Sequence, residues 1–155
     1  MNAARNPWNV KKPGSQLWEG QDATDKSGTA VFLDGDYGVR ACARNLESYW
    51  LAGHRTIRQI VTRATPPDDT IGSIPGAPQN ETMAYARGLA EHLGLGLDDP
   101  ILPPRQHPEF VARFLHEVSF FEGSGFDHEW PTLLRGVALW YEDFAPAASA
   151  ARQDG

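Results

Sequence analysis

A single cysteine, Cys42, stands among the 155 residues, which excludes an internal disulfide framework and a cysteine zinc cluster. Long apolar runs are missing too. No segment approaches the ~18–20 apolar residues that a membrane-spanning helix needs, so no membrane insertion is expected. The opening Met1-Asn2-Ala3-Ala4-Arg5-Asn6-Pro7 lacks the apolar stretch of a secretory signal peptide. Positive charge is in deficit: 14 Lys and Arg face 20 Asp and Glu, for a formal net charge of −6. An acidic balance argues against nucleic acid as a partner, because phosphate binding relies on a basic surface.

Motifs for metals and cofactors are also wanting. The five histidines include no i, i+4 pair, and His116-Glu117 begins a zinc-protease motif that Phe120 breaks. No phosphate-binding glycine loop and no Gly-x-Ser-x-Gly elbow occur. No metal and no cofactor are therefore expected. Cys42 falls on the apolar side of a helical pattern, where a structural thiol is expected rather than a nucleophile.

What the chain does have is the composition of a globular protein, 41% hydrophobic and 22% charged. Its length suits one domain, with a core over about residues 5–144 and a small, polar tail from 145 to 155. Five Trp, four Tyr and seven Phe supply large aromatic surfaces, suited to core packing and also to stacking on sugars.

Breakers from Pro7 to Gly35 delimit short runs, Gln16–Glu19 and Thr29–Leu33, which predict a small antiparallel hairpin. Beyond them the pattern turns helical. Val39, Cys42, Ala43, Leu46, Tyr49 and Trp50 predict a helix over 37–52, with Arg40, Arg44 and Glu47 on its other side and Asp34 or Asp36 as cap. A second helix starts at Thr56 and stops before Pro66-Pro67. A Pro-rich surface loop follows to Pro78. Further helices are predicted over 80–93, capped by Asn80 or Thr82, over 109–121 and over 131–144. The fold class is mainly α (α+β).

One locus carries chemistry. Phe120-Phe121-Glu122-Gly123-Ser124-Gly125-Phe126 sets a carboxylate at the end of an apolar helix, beside aromatic rings and a Gly-Ser-Gly turn. Partial desolvation disfavours the charged form, which is what a general acid needs to protonate a glycosidic oxygen. A solvated residue at a helix end is the simpler alternative.

Five blocks, in order, resemble a family of phage and prophage virion proteins. Arg5–Lys11 is similar to its R-x-N-N-P-G-N-I-R signature, and Trp18-Glu19-Gly20-Gln21 to its W-x-G-Q turn. Phe32–Ala41 resembles its F-x-x-F-D-S-x-x-Y-G-I-R-A stretch. Thr56–Arg63 with Pro66-Pro67, Asn80-Glu81-Thr82 and Tyr85 resembles its T-I-x-x-I-I-x-R-W-A-P-P-x-E-N-x-T-x-x-Y run, and Phe121-Glu122-Gly123 with Gly136-Val137 its H-E-x-G and later G-I/V pair. Trp8, Ala64-Thr65 and Phe121 depart from the pattern, and residues 70–79 are inserted. A more distant similarity, to cell-wall glucosaminidases of the lysozyme superfamily, requires a circularly permuted order.

These resemblances imply a lysozyme-like helical domain with an N-terminal β-hairpin. They imply a virion-associated protein that binds, and as a glycosidase or lytic transglycosylase cleaves, peptidoglycan glycan strands. Glu122 would be the catalytic acid, and Asn6, Asn9, Trp18 and Tyr37 would line the sugar cleft. Asp34 and Asp36 are candidates for a second carboxylate. Asn6 and Asn9 could equally close turns. Arg40 and Arg63 read as solvated residues or carboxylate partners rather than substrate clamps. The implied location is the phage particle, reached from the bacterial cytoplasm before assembly, with action in the periplasm. The alternative is a non-catalytic tail, baseplate or decoration subunit on a degenerate lysozyme-like scaffold, contacting other virion proteins.

Overall fold

A computed structural model describes residues 8, 10–11, 18–24, 29–32, 34–71, 74–122 and 129–143. The described part is mainly helical, with a small antiparallel hairpin near the N-terminus. Strands β1 (Gln21–Thr24) and β2 (Ala30–Phe32) form that hairpin. The first strand falls later than the expected 16–19, of which 16 and 17 lie outside the described residues. The reason is local. Gly20 has φ +76°, which an extended strand cannot accommodate, and the Gln21 N–H closes a turn onto the Trp18 carbonyl at 3.0 Å. The Gln21 side chain braces this turn by accepting the Trp18 N–H at 3.0 Å.

Asp34 caps α1 (Gly35–Leu51) by accepting the Asp36 and Tyr37 N–H groups at 2.9 and 3.3 Å. Helix α2 (Ile57–Ala64) opens on a capping box, in which Thr56 and Gln59 satisfy each other's free backbone donors. Helix α3 (Thr82–Leu93) ends at the left-handed Gly94. A 3-10 turn at Pro104–Gln106 leads into α4 (Pro108–Phe121), and α5 (Trp130–Glu142) completes the described helices. The tail expected from 145 to 155 lies outside the described residues.

The sequence places Arg40 and Glu47 on the outer side of α1, and the structure corrects this. Helix α1 packs against α5, α4, α2, β2 and the 3-10 turn, so its polar side is covered as well. Arg40 is 6% exposed and Glu47 8%, whereas Arg44 remains on the surface. A buried charge persists only when paired. The Arg40 guanidinium reaches Glu19 at 3.1 Å and Asp143 at 3.0 Å, and Glu47 accepts from Arg105 Nε at 2.7 Å. Helix α5 approaches α1 closely at Gly136, where an added Cβ would overlap the Val39 side chain and lie 2.7 Å from the Asp36 carbonyl oxygen.

Helix α2 is tied to the loop after α3 by a two-pronged ion pair. Arg58 Nε and Nη2 donate to the two Asp98 oxygens at 2.7 and 2.9 Å. The hydrogen bond from Arg58 holds the Asp98 carboxyl below its ordinary range.

Three outcomes for stability follow from these pairings. Arg40→Ala should destabilise by roughly 2–3 kcal/mol in urea unfolding, below the usual figure for a broken buried pair because Glu19 remains in solvent. Arg44→Ala should stay within about 0.5 kcal/mol. Because the folded-state pKa of Asp98 is depressed, its contribution is present above the ordinary carboxylate pKa of about 4 and is lost as pH falls. Thermal melts of wild type and Asp98→Asn should therefore differ at neutral pH and converge near pH ~2.

Candidate functional site

The start of α3 does not use the expected caps. Glu81 occupies the N-cap and makes no side-chain cap bond. Asn80 and Thr82 reach across the chain instead. Asn80 Nδ2 donates to the Pro66 carbonyl at 2.9 Å, and Thr82 Oγ1 donates to the Thr65 carbonyl at 2.7 Å. These bonds lace the end of α2 to the beginning of α3. Described residues between them are hydrogen-bonded too, with Ile71 N–H on the Pro78 carbonyl at 2.9 Å and Thr70 Oγ1 on the Ile74 carbonyl at 2.7 Å.

The laced segment is one wall of a groove of about 1190 Å³. Its other wall is Trp8, Val10, Lys11, Trp18 and Thr29. That wall is held to the hairpin by the Ala30 N–H on the Val10 carbonyl at 3.0 Å, and the Trp18 indole donates to the Lys11 carbonyl at 2.9 Å. The floor comes from Asn45, Ser48 and Tyr49 of α1, Tyr85 of α3, and Phe121 and Glu122 at the end of α4. A volume of this size exceeds the common range for compact small-molecule sites and suits an extended ligand.

Glu122 is half-buried at the C-cap of α4. The Tyr85 hydroxyl donates to Glu122 Oε1 at 2.8 Å. Burial, then the negative charge of Glu122 and the hydrogen bond to it, push the Tyr85 phenol well above its ordinary pKa, so it remains a protonated donor. Phe121 stacks on the Tyr85 ring at 5.7 Å and 23°. Its own ring lies over Gly88, where a Cβ would come within 2.6 Å of Phe121 Cε1.

Cys42 lies behind this group. Burial raises its thiol pKa strongly, the Trp8 backbone hydrogen bond opposes the shift, and the charge of Glu122 adds to it. A thiol so held stays protonated and is no nucleophile.

Of the residues picked out in the sequence, Glu122 and Trp18 line the same groove. Tyr37 does not; its ring packs against Gly20, whose missing side chain makes room for it. Asp34 is the cap of α1, and Asp36 pairs with Arg135 at 3.0 Å, so neither lines the groove. Asn6 and Asn9 lie outside the described residues. Arg40 is the buried ion-pair partner already described. Arg63 lines the groove with its guanidinium 5.6 Å from the Tyr49 ring.

Sequence reasoning missed Tyr49, Tyr85, Asn45 and Ser48 as groove residues. Tyr85 sits in one of the resembling blocks, but nothing in its spacing points to Glu122, 37 positions later. Tyr49 is indistinguishable in pattern from a core residue of α1. Among the described residues, no group of three or more His, Cys, Asp or Glu is placed to hold a metal. No described helix is long and apolar enough to cross a membrane. No protein-family model matches the chain, and no curated protein matches it significantly.

Proposed function

We propose that this is a phage virion-associated protein with a lysozyme-like helical domain whose groove binds peptidoglycan glycan strands during cell-wall penetration. Where cleavage accompanies binding, Glu122 is the carboxylate placed to act on the glycosidic bond. One observation carries the reading: Glu122 and Trp18, singled out in separate parts of the sequence, line a single groove together with Trp8, Tyr49, Tyr85 and Phe121. Aromatic faces stack on the apolar faces of sugar rings, and Asn45, Ser48 and Asn80 offer polar groups along the same trench. The five blocks of virion-protein resemblance supply the biological setting, in the particle and alongside other virion proteins.

A second reading has its own support. Asp34 and Asp36 are engaged in a helix cap and an ion pair away from the groove, so they do not complete a two-carboxylate arrangement with Glu122. That favours a non-catalytic tail, baseplate or decoration subunit on a degenerate scaffold.

Purified full chain mixed with sacculi separates these outcomes. Co-sedimentation is expected, weakened about tenfold or more in Trp18→Ala by the loss of one buried aromatic face. Muropeptide release should vanish in Glu122→Gln while sedimentation persists. Binding without any release by the wild type would favour the structural subunit, and no binding at all would overturn the glycan reading.

A further inference from the structure

We infer that Arg63, with Asn45 and Ser48 beside it around the Tyr49 ring, is a carboxylate-recognition subsite of the groove, which selects glycan strands bearing carboxylates over neutral N-acetylglucosamine polymers. The inference rests on the glycan reading of the groove and names the chemistry that the groove selects.

Arg63 differs from the arginines that brace the fold. Arg40, Arg58, Arg105 and Arg135 each hold a carboxylate at ion-pair distance. Arg63 lies exposed in the last turn of α2 and, among the described residues, has no carboxylate within that reach. Its guanidinium sits 5.6 Å from the Tyr49 ring centre, within cation–π range. A guanidinium stays charged and carries five N–H donors in a planar fork that matches a carboxylate. None of the Arg63 donors is hydrogen-bonded among the described residues.

Helix α1 supplies the rest. Asn45 lies one turn before Tyr49 and Ser48 directly before it, and both line the groove. Neither side chain is hydrogen-bonded to a described residue. The Tyr49 ring itself is pinned by Trp8 and His54, whose rings stand nearly perpendicular to it at 5.7 and 6.2 Å. A fixed aromatic surface beside unengaged donors and a permanent cation suits a sugar that carries an acidic substituent.

The other charges of the groove sharpen the assignment. Lys11 is on the opposite wall, where it donates to Thr29. Asp69, Glu81 and Glu122 line the groove as well and repel an anionic ligand. Along the laced wall, Arg63 is where a ligand carboxylate gains. A cation in the last turn of α2 also favours the helix dipole, a role indifferent to any ligand.

The test measures the affinity of the full chain for three soluble glycans of equal length. They are a neutral N-acetylglucosamine oligomer, a peptide-free peptidoglycan glycan with its lactyl carboxylates, and the same glycan with stem peptides. The wild type should bind a carboxylate-bearing glycan about tenfold more tightly than the neutral oligomer, a preference that shrinks as salt rises. Arg63→Gln should remove the preference while leaving the neutral affinity and the melting temperature unchanged, and Arg63→Lys should recover only part of it. A preference present without stem peptides places the recognised carboxylate on the lactyl group, and one that needs them places it on the peptide. Equal wild-type affinity for all three glycans, or an Arg63→Gln loss shared by the neutral oligomer, overturns the inference and leaves the glycan reading standing. Failure to bind any of the three overturns both.

Discussion

Packing of five other elements around α1 is the constraint from which the other features follow. A helix packed against α5, α4, α2, β2 and the 3-10 turn keeps water contact mainly at Arg44, Ser48 and Leu51 and along the groove. Its polar residues must then be paired, and its neighbours must fit closely. Arg40 and Glu47 meet the first demand through partners distant in sequence, Glu19, Asp143 and Arg105. Gly136 meets the second by letting α5 lie against Val39. The Arg40 pairing reaches further still. Glu19 follows Trp18 directly, so the same guanidinium that links α1 to Asp143 also anchors the turn that carries a groove wall.

The groove is the unpacked remainder of this arrangement. On its open side α1 presents Asn45, Ser48 and Tyr49, and the N-terminal segment and the laced α2–α3 connection rise on either flank. Neither flank is held by core packing alone. Side-chain bonds from Asn80 and Thr82 to main-chain carbonyls fix one flank, and the Lys11–Thr29 bridge with the Trp18 indole bond fixes the other. Bonds of this kind satisfy backbone groups that a loop would otherwise leave to water. They also hold walls in place without filling the space between them.

Period and punctuation made much of the fold legible. Thr56 with Gln59, Gly94 and Pro108 act locally, and the helices they bound fall within a few residues of expectation. What stayed hidden depends on contacts between distant segments. A polar stripe on α1 reads as solvent-facing until its burial by other elements is known, and Arg40 and Glu47 lie on that stripe. Asn80 and Thr82 are good caps by composition, yet nearby carbonyls at 65 and 66 compete for the same side chains and win. Trp18 and Glu19 fall outside the first strand because the positive-φ Gly20 that follows them makes a turn, which outranks the strand propensity of Trp18. In the groove, Glu122 and Trp18 were legible from local chemistry, and Tyr85 was not, because its importance lies in a hydrogen bond across 37 residues.

The most direct measurement of the central claim is a titration of isotope-labelled full chain with a soluble, uncrosslinked glycan fragment of peptidoglycan, followed by NMR. Saturable shifts confined to the Trp18 indole and the Tyr49, Tyr85, Phe121 and Glu122 signals are predicted. Absence of saturable shifts there, or shifts centred on the exposed Phe120, Trp130 and Leu134 surface instead, would contradict it.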